Sequence, residues 1–105
     1  MQIKWEKRFK NEVKRYATQG VDNFGERIAL LHLNKLNERI SQLAKYPELG
    51  FPEPFLSNKK REYRALVFEK RYKVIYTVDY DKEIIHLYDF WDMRRNPPTL
   101  IQRIE

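Results

Sequence analysis

The spacing of apolar residues changes once along the chain, and this change limits the fold more than any other feature. Up to Tyr46, apolar residues recur every three to four positions, which is the period of amphipathic helices. From Tyr63 onward they alternate with polar residues, which is the period of strands. Three prolines and Gly50 lie between the two parts, within residues 47–58. Helices followed by a run of strands predict the α+β class.

The N-terminal part begins with a predicted strand and a predicted helix. Residues 1–5 alternate apolar and polar side chains, as a short strand does. Residues 6–18 place their apolar side chains on one helical face, with charged residues on the other. Gly20 is the expected end of this helix, because glycine readily adopts the left-handed conformation that stops one.

A second helix is predicted to begin after Asp22 or Asn23, either of which can cap it, and to run to about Tyr46. Pro47 ends it, because proline cannot continue a helix. One apolar stripe runs along this helix, and its predicted members are Leu33, Leu36, Ile40, Leu43 and Ala44, widened by Ile28, Leu30 and Leu31 near the start. A wide stripe is typical of a helix that packs on both a partner helix and a sheet.

Three strands are predicted at residues 63–68, 72–79 and 83–91, joined by connections short enough for hairpins. The expected order is β-α-α-β-β-β: a short N-terminal strand, a helical hairpin and a three-stranded antiparallel meander in a four-stranded sheet. The helices cover one face of this sheet and leave the other partly open. The predicted core includes Trp5, Leu36, Ile40, Leu43, Val74 and Tyr76.

A chain of 105 residues is expected to form a single domain over residues 1–105. It has no cysteine, and His32 and His86 lack metal-ligand spacing, so neither a metal nor a cofactor is expected. Residues 1–5 do not resemble a signal peptide, and no apolar run approaches the roughly 20 residues that span a membrane. The sequence therefore predicts a cytoplasmic protein with no membrane partner.

Positive charge is concentrated in one stretch of the chain. The net charge is +6, and residues 59–73 hold seven basic and two acidic residues, which accounts for nearly all of it. The basic residues are Lys59, Lys60, Arg61, Arg64, Lys70, Arg71 and Lys73. Such a stretch favours an anionic partner, either nucleic acid or an acidic protein. A charged strand edge that prevents aggregation gives the same pattern.

Nearly the whole chain resembles the RelE/ParE superfamily of toxins from type II toxin–antitoxin modules. The resemblance runs from the opening strand and helical hairpin through Leu43-x-x-x-Pro47-x-x-Gly50, Tyr63-Arg64-Ala65-Leu66-Val67, Tyr72-Lys73-Val74-Ile75-Tyr76-Thr77-Val78 and Phe90-Trp91-Asp92-x-Arg94-Arg95-Asn96-Pro97. It implies a growth-inhibiting toxin that a cognate antitoxin neutralises. RelE-like members cleave mRNA on the ribosome, ParE-like members poison DNA gyrase, and a member without toxicity would serve only as a binding module.

In the ribonuclease mode, the resemblance to the YoeB branch makes Glu53, in Pro52-Glu53-Pro54, the general base. Arg64, Lys73 and Arg94 would supply positive charge around the phosphate, as could Arg71 and Arg95. The alternative interpretation of Glu53 is a solvent-facing residue of a turn, and this interpretation is preferred.

The C-terminal residues decide between the two modes of toxicity. Ribonuclease branches carry a late histidine or tyrosine after the last strand, whereas this chain has no histidine after His86 and no tyrosine after Tyr88. The ending Arg94-Arg95-Asn96-Pro97 is similar to the ParE branch, which acts by binding. The preferred prediction is therefore gyrase, with Lys59, Lys60, Arg61, Arg64, Arg71, Lys73, Arg94 and Arg95 as the binding residues.

Overall fold

A computed structural model describes residues 1–104 and contains five strands, three α-helices and a short 3₁₀ helix in that range. In chain order they are β1 (Gln2–Trp5), α1 (Lys7–Phe24), α2 (Glu26–Lys45), β2 (Phe51–Pro52), the 3₁₀ helix (Pro54–Leu56), β3 (Arg64–Phe68), β4 (Tyr72–Asp79), β5 (Ile84–Asp92) and α3 (Pro97–Arg103). The α+β class and the predicted order of strand, helical hairpin and meander are confirmed. No helix within residues 1–104 is long and apolar enough to cross a membrane.

The sheet has the strand order β1-β5-β4-β3-β2. The last three long strands form the predicted antiparallel meander, and β1 lies parallel to β5 with Ile3 opposite Ile85. The sheet has five strands instead of the predicted four, because Phe51–Pro52 pairs with the start of β3. A strand of two residues beside prolines is too short to produce an alternating pattern, so the sequence did not indicate it.

The boundary between the two helices differs from the prediction. The first helix continues past Gly20 to Phe24, and the chain turns at Gly25, whose φ of 87° favours glycine. Asp22 and Asn23 therefore lie inside α1 and do not cap α2. Gly20 serves helix packing instead, because a Cβ there would come within 3.3 Å of the Ala29 side chain on α2.

The larger core lies between the helical hairpin and the sheet. Five of the six predicted core residues, Leu36, Ile40, Leu43, Val74 and Tyr76, are buried there. The sixth, Trp5, is only partly buried and packs edge-on against Phe9 with ring centroids 4.9 Å apart. The predicted widening of the stripe at Ile28, Leu30 and Leu31 is wrong, because all three side chains are exposed. After Ala29, the buried residues of α2 all belong to its C-terminal half.

A smaller core covers the centre of the opposite face of the sheet, the face predicted to stay partly open. It contains Leu56, Tyr63, Ala65, Ile75, Trp91, Leu100 and Ile104. Leu100 and Ile104 come from α3 and the residue after it, and Leu56 comes from the 3₁₀ helix. Strand β5 contains a bulge, because Ile75 pairs with Asp89 and Tyr76 with Leu87, which leaves Tyr88 as an extra residue. Tyr88 packs against this smaller core.

Candidate functional surface

One of two buried charged pairs joins two residues predicted for the ribonuclease mode. Lys73 Nζ donates hydrogen bonds to both carboxylate oxygens of Glu53, each at 3.0 Å. The Phe51 and Phe55 rings lie 5.6 and 5.8 Å from the same ammonium group. Glu53 is only 2% exposed, so the interpretation of a solvent-facing turn residue is wrong.

The local sequence explains how Glu53 becomes buried. The prolines on either side restrict the backbone, and the Glu53 N–H donates to the Tyr63 carbonyl at 2.9 Å. These constraints hold the carboxylate against the sheet, where Lys73 on β4 compensates its charge. A buried carboxylate without such a partner would be very unfavourable.

Arg64, the third residue of that predicted set, is engaged elsewhere. Its guanidinium donates to the carbonyls of Gly50 at 2.6 Å and Glu48 at 3.2 Å, and to the Glu62 carboxylate at 2.9 Å. Arg64 thus fixes the segment that follows α2.

Tyr76 fixes the same segment from β4. Its hydroxyl donates to the Pro47 carbonyl at 2.7 Å and accepts from the Gly50 N–H at 3.0 Å. A Cβ at position 50 would lie 2.5 Å from the Ala65 carbonyl oxygen and 2.8 Å from the Tyr76 hydroxyl, so only glycine fits. The Pro47-x-x-Gly50 pattern therefore has a packing explanation.

Three arginines gather at the end of β5, and we call them the C-terminal arginine cluster: Arg71, Arg94 and Arg95. Arg94 Nη2 lies 2.9 Å from Asp92 Oδ2, and Arg71 Nη2 lies 3.6 Å from the same oxygen. The Arg95 guanidinium lies 4.8 Å from the Trp91 ring centroid. Although Arg71 and Arg94 both pair with Asp92, their side chains are 43% and 67% exposed, so a partner can reach them.

The remaining predicted cations lie at an open groove of about 750 Å³, which we call the basic groove. Its lining residues are Glu6, Arg8, Asn58, Lys59, Lys60, Arg61, Tyr63, Tyr88, Arg103 and Ile104. Arg61 also donates a hydrogen bond to the Tyr88 hydroxyl. Arg8 and Arg103 were not predicted, because no local pattern indicates that the start of α1 and the end of α3 meet the 58–61 loop.

Three further contacts between ionisable side chains lie beside the groove. His86 Nδ1 lies 2.8 Å from Glu6 Oε2, and Arg103 Nη2 bridges Asp89 at 2.9 Å and Glu12 at 3.2 Å. Burial, opposed by Arg103 and assisted by Glu12, raises the pKa of Asp89 to about 6. The sequence suggested none of these pairs, since their members are far apart along the chain.

Six of the seven basic residues of the predicted stretch lie in three environments. Lys59, Lys60 and Arg61 line the basic groove, and Arg71 lies with Arg94 and Arg95 in the C-terminal arginine cluster. Arg64 and Lys73 are held by internal partners. Of the four residues predicted for ribonuclease chemistry, only Glu53 and Lys73 contact each other.

The chain was compared with known proteins. The family model described as "ParE toxin of type II toxin-antitoxin system, parDE" matches residues 3–97. A solved structure described as "Chromosomal ParDE TA system from P. aeruginosa" is similar, with a TM-score of 0.71 and 18% sequence identity over 88% of this chain and 95% of that chain. A search of curated proteins found no match. Because the family model covers most of its length, the chain belongs to the ParE toxin family of type II toxin–antitoxin systems.

Proposed function

We propose that this toxin inhibits growth by binding DNA gyrase, through a surface that includes the C-terminal arginine cluster. The observation that supports binding over hydrolysis is a contrast in exposure. Arg94 is largely exposed, whereas the Glu53 side chain is fully enclosed and both its oxygens accept from Lys73. Exposed arginines are common energetic centres of protein interfaces. A general base must instead reach the proton that it removes.

A ribosome-dependent mRNA endonuclease is the second candidate, and one observation favours it. Glu53 and Lys73 lie together at 3.0 Å, as a base and a neighbouring cation would. This mode requires the segment that carries Phe51 and Phe55 to move, so that Glu53 becomes accessible to substrate. Arg64 would also have to exchange its carbonyl partners for phosphate.

The partner that neutralises the toxin is, in this proposal, a cognate antitoxin, as the ParDE name of the similar structure suggests. The net charge of +6 favours an acidic partner. Association should then slow as salt rises, because exposed charges are screened beyond about 8–10 Å near physiological ionic strength. Association rates that do not change with salt would contradict an acidic antitoxin.

The experiment compares three variants for growth inhibition, gyrase supercoiling and mRNA cleavage on translating ribosomes. Arg94→Ala with Arg95→Ala should weaken gyrase inhibition about tenfold or more, since interface hot spots each contribute more than about 1 kcal/mol. Lys10→Ala with Lys14→Ala removes the same charge from the exposed face of α1 and is the control. Glu53→Gln should leave gyrase inhibition unchanged.

Loss of toxicity in a folded Glu53→Gln variant, together with mRNA cleavage by the parent chain, would instead establish the endonuclease. Because Glu53→Gln disturbs a buried ion pair, the double variant Glu53→Gln/Lys73→Met is measured beside it. A parent chain that binds an antitoxin but does not inhibit growth would identify a binding module without toxicity.

A further inference from the structure

The basic groove carries positive charge that residues 1–104 compensate only in part. Arg8, Lys59, Lys60 and Arg61 form no close ion pair with any carboxylate of residues 1–104, although Arg8 still favours the charged form of the buried Asp89. Arg103, by contrast, is neutralised by Asp89 and Glu12. These four cations come from α1 and from the loop after the 3₁₀ helix, so they reach the groove from two separate segments.

The single carboxylate among the described lining residues does little to offset this charge. Glu6 lies 2.8 Å from His86 Nδ1 and 3.9 Å from Lys4 Nζ. The partners of the Glu6 carboxylate are therefore His86 and Lys4, and neither belongs to the set of four cations. A ligand that enters the groove meets a surplus of positive charge and several hydrogen-bond donors.

Aromatic rings lie in and beside the groove: Tyr63 and Tyr88 line it, whereas His86 lies just outside its lining, at a neighbouring pocket that Arg61 also lines. The His86 and Tyr88 rings are stacked, with centroids 6.0 Å apart and an angle of 24° between their planes. The Tyr63 ring contacts Tyr88 edge-on at 5.6 Å and is itself buried, so it supports Tyr88 from below. His86 and Tyr88 are partly exposed and present ring surface beside the cations.

We infer that the basic groove binds a nucleic-acid strand, with phosphates on Arg8, Lys59, Lys60 and Arg61 and a base against His86 and Tyr88. Cations combined with ring surfaces are typical of grooves that hold single strands. An acidic peptide would satisfy the cations but would leave the rings unused, since carboxylates do not stack. The inference rests on the proposed function in one respect only, namely that the toxin meets nucleic acid at its target.

The test uses the purified full chain without gyrase, so its result is independent of the proposed target. Binding of fluorescent 12-nucleotide oligo-dT and oligo-U is followed by anisotropy between 50 and 200 mM salt. With four phosphate contacts, affinity should fall about 50-fold across this range, because log affinity falls by about 0.7 per contact for each tenfold rise in salt. For Lys59→Ala with Lys60→Ala, the fall should be only about sevenfold.

Matched variants separate charge from stacking. Lys10→Ala with Lys14→Ala should bind as the parent chain does, although it has lost the same charge. Tyr88→Leu should weaken binding about fivefold or more, because it removes a stacking surface, whereas Tyr88→Phe keeps the ring and most of the affinity. His86→Asn tests the second ring if Tyr88→Leu does not fold.

Each outcome supports or contradicts the binding of a single nucleic-acid strand in the basic groove. If the parent chain binds oligo-dT or oligo-U more tightly than it binds duplex DNA or a glutamate-rich peptide, the inference is supported. The tighter of the two oligonucleotides then identifies DNA or RNA as the source of the phosphates. Equal salt dependence of the parent chain and the Lys59→Ala/Lys60→Ala variant would overturn it. Tighter binding of duplex DNA than of both single strands would also overturn it, and so would preferential binding of a glutamate-rich peptide, which would assign the groove to an acidic protein.

Discussion

The two faces of the sheet differ in how they hold charge. On the face toward the helical hairpin, the buried core is built from apolar and aromatic side chains such as Phe9, Leu36 and Leu87. On the opposite face, the smaller core lies beside two buried carboxylates, Glu53 and Asp89, each with a basic partner. The first face stabilises the fold by burying apolar surface, whereas the second uses costly ion pairs to hold segments in position.

The largest effect should come from the apolar face. Phe9→Ala should lower the free energy of unfolding by roughly 3–5 kcal/mol, because Phe9 is fully buried and its loss leaves a cavity. Phe24→Ala, on the same helix, is the matched control, because its side chain is 64% exposed. Denaturant unfolding of both variants measures the difference. Equal losses would mean that burial against the sheet does not determine stability here.

The second prediction concerns Asp89 and pH. Its pKa is raised from 3.8 to about 6, so between these values the folded protein binds more protons at this site than the unfolded chain does. The contribution of Asp89 to stability should therefore fall by roughly 3 kcal/mol as pH rises from about 3 to about 7. Asp89→Asn cannot titrate and should lack this fall. Parallel profiles of unfolding free energy against pH for the two proteins would contradict the prediction.

The third prediction concerns the other buried carboxylate. Glu53→Gln should cost about 2 kcal/mol, because it leaves the Lys73 charge without a full partner in a mostly enclosed site. Lys73 keeps 15% of its side chain exposed, so the cost should be below that of a fully buried pair. Glu53→Gln/Lys73→Met should recover part of the loss. A double-mutant cycle on unfolding free energies measures the coupling, and a coupling near zero would show that the pair is not a unit.

The smallest effect should come from the turn between β3 and β4. Glu69 and Lys70 both have positive φ, at 53° and 57°, where side chains other than glycine are strained. Lys70→Gly should raise the unfolding free energy by up to about 1 kcal/mol. Lys70→Ala should give no such gain, because alanine meets the same strain. Thermal melts of the two variants provide the comparison, and equal melting temperatures would count against strain at this position.

The sequence predicted what depends on local periodicity. The long run of α2 and the three strands of the meander each carry a repeating apolar pattern that is independent of tertiary contacts. The end of α1 was placed wrongly because Gly20 and Gly25 have the same local signature, and only packing against Ala29 distinguishes them. The exposure of Leu30 was not predicted for a similar reason. An apolar pattern on a helix does not reveal how far along that helix the packing partner extends.

The candidate surface was predicted less completely, because its residues meet only through the fold. The residues around Glu53 are typical of a turn, and the sequence does not indicate that Lys73, on β4, lies against its carboxylate. Arg8 and Arg103 joined Lys59 at the groove because the start of the chain packs beside the last strand. Residue type alone identified the cations, but the division into bound and available cations depends on their partners.

The parallel pairing of β1 with β5 has a consequence for synthesis. Gln2 lies opposite Ile84, so the first strand stays unpaired until most of the chain has left the ribosome. The basic groove is completed later still, because Arg103 belongs to its lining. A nascent chain therefore carries the helical hairpin without a finished groove, and any activity that depends on this surface begins only after Arg103 has been translated.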